Sequence, residues 1–273
     1  MNDSQAVQLQ STEAVEPAPE SFDYYDVPAA VLCAVCGHSD CDGCIAQDED
    51  ASGVIAIVPW ERSEARPWQR LWHTAQAATQ GAESFFAALP PGPLGPALRF
   101  AIISEALAVV SMAAMLLGIF ALAFPTLALT LALDPDLRAE FGHWLAVAVP
   151  GVTLWMVAVH AIHGLAVDGG ARRQGGVSHR RRALRFGFYA CGWDLMTSPL
   201  GAIVTLFSSG LRAALALGSA AMNVPGRATT ALLRGIYALD EARATRARRR
   251  GLAMTMLLVV VSVVFLVAAL LVS

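Results

Sequence analysis

Long runs of apolar residues, separated by short polar segments, occupy the chain from about residue 96 to its end. A helix rises ~1.5 Å per residue, so about 20 apolar residues cross the hydrocarbon core of a bilayer. We therefore predict an all-α integral membrane protein with about five transmembrane helices in a domain over 96–273. The predicted spans are 100–124, 144–167, 184–207, 211–233 and 252–272.

The fourth predicted span is weaker than the others because it holds Arg212 and Arg227 within its apolar run. An arginine near the middle of a bilayer costs about 2.5–3.5 kcal/mol on insertion scales. Two alternatives therefore stay open. Either the block crosses with Arg227 facing the bundle or the surface, or it forms a re-entrant hairpin followed by an amphipathic helix on the membrane.

Apolar residues recur with helical spacing at Trp68, Leu71, Trp72 and Ala75, with polar residues between them. This periodicity predicts an amphipathic helix within 61–95, before the first span. Tryptophan and arginine at the edges of the stripe suit the headgroup layer, so we expect the helix to lie at the membrane surface. The alternative is a helix packed against the segment that precedes it.

Arginines are concentrated in two short segments, 168–185 and 243–250, and the chain contains no lysine. Basic loops close to membrane spans are retained on the cytoplasmic side, so both segments should lie there. With five spans, the N-terminus is then cytosolic and the C-terminus external. A hydrophobic content of 56% agrees with an integral membrane protein in contact with lipids.

The first 28 residues are acidic, rich in Ser, Gln, Glu and Pro, and without apolar periodicity. Such a segment buries too little apolar surface to offset the entropy of ordering, so we predict a disordered tail over 1–28. It also lacks the basic start and the apolar stretch of a secretory signal, which agrees with a cytosolic N-terminus.

Four of the five cysteines form two Cys-x-x-Cys pairs, Cys33 with Cys36 and Cys41 with Cys44. Two such pairs place four thiolates around one tetrahedral ion, and clustered cysteines in a reducing compartment favour metal over disulfides. We predict a closed structural site for one zinc ion, in a zinc knuckle and linker over 29–60. An iron–sulfur cluster and four free thiols are the alternatives.

Four ionisable residues fall within or beside the predicted spans: Glu105, His160, His163 and Asp194. Ionisable groups are costly in a membrane and suggest a functional site, here one that binds a metal or passes a proton. For His160 and His163, solvation at the interface is favoured, because both lie close to the cytoplasmic end of the second span. Glu105 lies within reach of water and Asp194 near the start of the third span, where both could pair with loop arginines.

No pattern in the sequence carries an argument for catalysis. There is no phosphate-binding glycine loop followed by lysine, no Ser-His-Asp spacing and no HExxH motif. The arginine clusters lack interleaved aromatic residues, so an anionic membrane surface explains them better than nucleic acid does. We therefore predict a non-enzymatic protein that does not bind nucleic acid.

Several features of the membrane domain are shared with a known family. They are Phe85-Phe86 before the break at Pro90, His163 closing the second span, Phe188-Tyr189-Ala190 after the basic loop, and Pro199 in the third span. In these features the chain from about Trp68 onward resembles the bacterial branch of the Ypt-interacting protein (YIP) family. The resemblance implies five spans, a cytosolic N-terminus, no enzymatic activity and a bacterial inner membrane. The cysteine run resembles the middle of B-box-like zinc fingers.

Two functional hypotheses follow. The first is a membrane scaffold or adaptor in membrane organisation or trafficking, whose zinc knuckle and acidic flanks recruit an unidentified cytosolic protein. Eukaryotic members of the resembled family engage Rab-type GTPases, which implies a trafficking role. The alternative is a small transporter or channel that uses the four intramembrane ionisable residues. Whether copies of the chain form a homo-oligomer is left open.

Overall fold

A computed structural model describes residues 58–62, 65–221 and 223–272, together with their side chains outside 219–221 and 265–272. In these ranges a 3₁₀ turn at Pro59–Glu61 precedes nine α-helices, and no residue forms a strand. The helices are α1 (Pro67–Thr79), α2 (Ala82–Ala87), α3 (Leu94–Ala123), α4 (Pro125–Leu133), α5 (Pro135–Arg172), α6 (Arg180–Thr197), α7 (Pro199–Ala221), α8 (Val224–Gly235) and α9 (Glu241–Val272). The predicted all-α fold is confirmed for this part of the chain.

Within the described ranges, three helices are long and apolar enough to cross a membrane: α3, α5 and the Pro199–Gly218 portion of α7. Together α3 and α5 coincide closely with the first two predicted spans. Both expose large apolar side chains along their length, for example Leu116, Leu122 and Leu154, as helices that face lipid do. The fold is therefore compatible with membrane insertion, while the count of five spans stays a prediction.

Helix α6 is surrounded by other helices and contacts α1, α3, α5, α7 and α8. Every residue from Arg185 to Trp193 is buried, although this stretch includes charged, aromatic and thiol side chains. Two glycines permit close packing. A methyl group at Gly187 would overlap the carbonyl oxygen of His160 in α5, and one at Gly192 would lie 3.1 Å from the Cα of Ala75 in α1.

The segment 61–95 forms two short helices, α1 and α2, where the sequence predicts one amphipathic helix. The break falls at Gln80 and Gly81, because glycine is a poor helix former. The apolar stripe of α1 packs on α6, where the indole of Trp193 donates a 2.8 Å hydrogen bond to the carbonyl oxygen of Ala78. Trp68 remains about half exposed at the edge of the stripe.

The predicted third and fourth spans, 184–207 and 211–233, do not coincide with single helices. The third is divided at Ser198 because Pro199 lacks the N–H that would continue α6. The fourth is divided between α7 and α8, and α7 itself is kinked at Gly210, whose φ of 83° is accessible mainly to glycine. Hydrophobic runs in the sequence therefore extend across three helix breaks.

The last helix, α9, begins in the second arginine cluster and continues through the apolar stretch 252–272. It packs antiparallel to α5, with Gly170 against Ala247 and Gly251 against Val167. As far as Val264, where the side-chain description ends, many of its apolar residues are exposed. The fifth predicted span agrees with this helix and stays a prediction. The predicted tail 1–28 and the knuckle cysteines lie outside the described residues.

Candidate functional site

The crossing of α5 and α6 brings together ionisable residues that are far apart in the sequence. Gly164 and Gly187 lie at this crossing, where an added methyl group on either would overlap backbone of the other helix. The close approach places His160 of α5 beside Asp194 of α6, with Nε2 and Oδ2 2.8 Å apart. An ionised carboxylate only accepts hydrogen bonds, so we assign the proton of this pair to Nε2.

Glu105 of α3 completes a cluster with His160 and Asp194, which we name the acid–histidine cluster. Its Oε1 lies 3.5 Å from Nε2 of His160, too far for a normal hydrogen bond. The residue is 1% exposed, and neither carboxylate oxygen has a hydrogen-bond partner among the described residues. Transfer of an ionised carboxylate from water to a buried site costs several kcal/mol when hydrogen bonds do not compensate for the lost hydration. The arrangement therefore favours a bound proton or cation at Glu105.

Cys191 adds a thiol to the same cluster. It lies one helical turn before Asp194 in α6, is fully buried, and is a free cysteine. Ligand atoms of Glu105, His160 and Cys191 all lie within 4.8 Å of one another. Oxygen, nitrogen and sulfur together form a donor set typical of zinc and similar divalent ions. These three side chains could bind one such ion.

A lateral groove of about 390 Å³ opens beside the cluster. Glu105, Asp194, Thr197 and Ser198 form its polar end, and 33% of the Asp194 side chain is exposed. The rest of the groove is apolar, with lining residues Ala108, Val109, Met112, Ala113, Leu116, Val152 and Met156. The cluster is therefore accessible from the groove mainly through Asp194, because Glu105 is almost fully buried.

His163 is not part of this cluster, although it lies only three residues from His160. Its Nδ1 lies 3.1 Å from Thr255 Oγ1 in α9, and its Nε2 lies 3.3 Å from Thr229 Oγ1 in α8. His163 therefore links α5 to α8 and α9. Of the four ionisable residues predicted as a group, the structure brings Glu105, His160 and Asp194 together and places His163 in a separate helix contact.

A second buried polar group joins the 3₁₀ turn to α6. Arg185 is fully buried, and its Nη1 lies 2.8 Å from Oε1 of Glu61 and donates to the carbonyl oxygen of Pro93. The hydroxyl of Tyr189 donates to Glu61 at 2.6 Å. The guanidinium also fills the space beside Gly92, where a methyl group would contact it. These bonds fix the segment before α1 against the middle of the bundle.

Asp168, near the end of α5, organises the arginine-rich loop that follows. One carboxylate oxygen accepts 2.8 Å hydrogen bonds from the His179 backbone N–H and the Tyr237 hydroxyl, and the other accepts from the Ser178 hydroxyl at 2.9 Å. Burial, and next the hydrogen bond to Asp168, raise the pKa of Tyr237 above its ordinary value of 10.0. Tyr237 therefore stays neutral and donates at physiological pH.

Cys191 was not predicted from the sequence as a member of the acid–histidine cluster. The available signal was its spacing of three from Asp194, which places both residues on one face of a helix. The four predicted zinc ligands, Cys33, Cys36, Cys41 and Cys44, lie outside the described residues, so the zinc knuckle stays a prediction.

Comparison with known proteins identifies no relative from which a function could be transferred. No protein-family model, no curated protein and no solved structure matches this chain. The resemblances to the YIP family and to B-box-like zinc fingers therefore stay predictions. Because folds alone do not determine activity, the function is argued from the site.

Proposed function

We propose that the protein is a non-enzymatic transporter of a divalent transition-metal ion, and that the acid–histidine cluster binds this ion. The observation that carries the proposal is the state of Glu105. Its carboxylate is 1% exposed, forms no hydrogen bond of normal geometry with the described residues, and lies beside the Cys191 thiol and 3.5 Å from the imidazole of His160. A group in this position is stabilised by a proton or by a cation.

The position of the cluster along the helices supports binding inside the membrane. The first predicted span begins at residue 100 and the second ends at residue 167, so at ~1.5 Å per residue Glu105 lies about 8 Å and His160 about 10 Å inside these limits. Both residues belong to helices that are long and apolar enough to span. Ionisable groups at such depth, facing other helices, are typical of ion pathways.

The donor set supports a transition metal as the transported ion. Glu105, Asp194, His160 and Cys191 offer oxygen, nitrogen and sulfur, which zinc-like ions accept and which potassium or sodium does not require. Ligands must lose protons to bind a metal, so metal binding would release protons from the carboxyl and thiol groups. We therefore expect metal movement to be coupled to proton movement.

Transport by a conformational change fits the surroundings better than an open channel does. Away from its polar end, the groove beside the cluster is lined by apolar side chains, which do not stabilise a hydrated ion. The helix break at Ser198 adjoins the cluster, and Gly210 interrupts α7. Interrupted helices beside an ion site are typical of transporters that expose the site alternately to the two sides.

Flux into proteoliposomes tests the proposal. The purified full chain is reconstituted, and entry of zinc or manganese is followed with an entrapped metal-sensitive dye beside a pH-sensitive dye. We expect metal entry with opposite proton movement for the wild type, and loss of both in Glu105→Gln and Asp194→Asn. Glu140→Gln is the matched control, because Glu140 is an exposed acid remote from the cluster in sequence. It should retain full flux.

The proposal fails if folded wild-type protein carries neither ion, as judged by a single gel-filtration peak from the same preparation. It also fails if Glu105→Gln and Asp194→Asn retain wild-type flux. Proton flux without metal flux would keep the cluster as the ion site and exclude the metal as the transported ion.

The scaffold hypothesis is a second proposal and is independent of the first. What supports it is the pair of Cys-x-x-Cys motifs beside an acidic segment. Proximity labelling from the N-terminus tests it. We expect a defined cytosolic partner that is lost when Cys33 and Cys36 become serine while the protein still inserts. Labelling that is the same in both proteins would contradict a recruiting role for the knuckle.

A further inference from the structure

A groove runs between α5 and α9 beside their point of contact. It has a volume of about 670 Å³, with arginine at one end and apolar side chains along the rest. The two helices touch where Gly170 meets Ala247, and a methyl group at Gly170 would lie 2.7 Å from the Ala247 carbonyl oxygen. Apolar side chains form the groove walls, among them Leu165 and Ala166 on α5 and Ala253, Leu257 and Val261 on α9.

Two arginines, Arg173 and Arg250, line the polar end of this groove. Both are exposed, and neither forms an ion pair with an acidic residue in the described part of the chain. The nearest acid of α5, Asp168, is buried and accepts hydrogen bonds from three other groups. The groove therefore presents positive charge that the described protein does not neutralise.

The apolar part of the groove has the length of one bilayer leaflet. From Arg250 to Val261, α9 advances about 16 Å at ~1.5 Å per residue. Half of a hydrocarbon core of ~30 Å is about 15 Å. A ligand with an anionic headgroup beside the two arginines would therefore extend an acyl chain along the apolar walls to about the middle of the membrane.

We propose that this groove is a binding site for an anionic phospholipid, with the phosphate-containing headgroup between Arg173 and Arg250 and one acyl chain along the α9 wall. Arginine at the headgroup level and apolar side chains below it match the two parts of such a lipid. A zwitterionic lipid offers the same chains without net negative charge. The acidic N-terminal segment and a second copy of the chain are the competing occupants.

Lipid titration of the full chain tests the site. The thermal unfolding midpoint of detergent-solubilised protein is measured against phosphatidylglycerol and against phosphatidylcholine with the same acyl chains. Two arginines near the surface should make the wild type prefer phosphatidylglycerol by about thirtyfold in the apparent dissociation constant. The Arg173→Gln/Arg250→Gln variant should lose this preference. The control variant, Arg172→Gln/Arg249→Gln, changes exposed neighbours that do not line the groove and should retain it.

A second variant tests the apolar walls. Ala253→Trp fills the groove without changing its charge, and it should weaken binding of both lipids. Soluble glycerol 3-phosphate carries the charge without chains and should produce no shift in the midpoint.

The proposal is wrong if the two lipids bind equally, if the control variant loses the preference as well, or if glycerol phosphate reproduces the full shift. A wild-type dimer that Ala253→Trp dissociates, with lipid binding unchanged, would assign the groove to a second copy. A phosphatidylglycerol preference that appears only after removal of 1–57 would assign it to the N-terminal segment.

Discussion

At the residue scale, the most deeply buried charge of the described chain is Arg185. Its guanidinium bonds to Glu61 and to the carbonyl oxygen of Pro93, and its aromatic neighbour Tyr189 donates to the same glutamate. Taking an arginine out of water is costly, so the group is stable only while its acceptors remain in place. Loss of one acceptor should therefore destabilise the fold more than loss of the whole group.

Glu61→Ala should lower the free energy of unfolding by about 2–3 kcal/mol, because it leaves Arg185 buried without its carboxylate. The double variant Glu61→Ala/Arg185→Met should recover part of this loss, since methionine fills a similar space without charge. Unfolding in detergent, followed by circular dichroism, measures both. A double variant less stable than Glu61→Ala would contradict the account.

Tyr237 offers a prediction that depends on pH. Its pKa is higher in the folded protein than in the unfolded chain, so its contribution to stability is complete below pH 10.0 and is lost as the pH rises above that value. The chain has no lysine, and its five cysteines and three other tyrosines are common to the wild type and to the variant compared with it. Tyr237→Phe should cost about 1–2 kcal/mol at neutral pH. It should also lose less stability than the wild type between neutral and alkaline pH. Parallel pH curves for the two proteins would refute this.

The candidate site was only partly predictable at this scale. Glu105, His160 and Asp194 stand out in the sequence as ionisable residues within apolar runs. Their convergence depends on the crossing of α5 and α6, which the period of apolar residues does not encode. A position within reach of water, expected for Glu105 from its place near the start of the first span, does not describe this residue, which is 1% exposed. His163 is also an ionisable residue within an apolar run, yet it contacts Thr229 and Thr255 instead of the cluster.

At the scale of elements, glycines determine how closely the helices pack. Gly187→Ala should separate α5 from α6, because its methyl group would overlap the His160 carbonyl oxygen. We expect a loss of about 1–3 kcal/mol in unfolding free energy. The control is Gly151→Ala in α5, where nothing lies within 4 Å and stability should not fall. Thermal unfolding in detergent compares them. Equal midpoints for the two variants would show that the crossing tolerates an added methyl group.

The helix breaks explain why the first two predicted spans coincide with single helices and the third and fourth do not. Hydrophobic runs identify α3 and α5 because both are continuous helices with exposed apolar surfaces. The run from 184 onward mixes a helix enclosed by protein, α6, with a kinked apolar helix, α7. Burial inside a protein and burial in lipid both select apolar residues, so sequence alone does not separate them. Pro199 and Gly210 were visible in the sequence, but their structural effect depends on the neighbouring helices.

At the scale of the whole molecule, the N-terminal cysteines predict a metal that is independent of the acid–histidine cluster. The full chain should contain one tightly bound zinc ion assigned to the knuckle, since four thiolates complete a closed tetrahedral site. Elemental analysis should show the loss of this ion in Cys41→Ser/Cys44→Ser and its retention in Cys191→Ser. Iron in the wild type would favour the iron–sulfur alternative, and no loss on mutation would exclude the knuckle.

Both arginine clusters lie at the same end of the bundle, and this limits how often the chain between them can cross a membrane. Arg246 of the second cluster donates a 3.1 Å hydrogen bond to Gln174 in the first loop, and Arg248 donates a 3.1 Å hydrogen bond to the Thr230 hydroxyl oxygen in α8. The chain between the clusters therefore leaves this end and returns to it. If that end lies on the cytoplasmic side, as we predict, the chain between the clusters crosses the membrane twice or not at all, and we expect α9 to take the C-terminus to the other side in either case.

Labelling of introduced cysteines by a membrane-impermeant thiol reagent in intact cells separates the two cases. With five spans, the kink of α7 reaches the external surface, so Ser209→Cys should be labelled from outside. With three spans and a re-entrant hairpin it should not be. Ala139→Cys, between the first two predicted spans and therefore expected outside, is the positive control, and Val177→Cys in the arginine-rich loop is the negative control. An alkaline phosphatase fusion at Ser273 should be active in both cases, because the number of crossings between the clusters is even. An inactive fusion would instead mean that α9 does not cross the membrane or that the clusters lie on the external side.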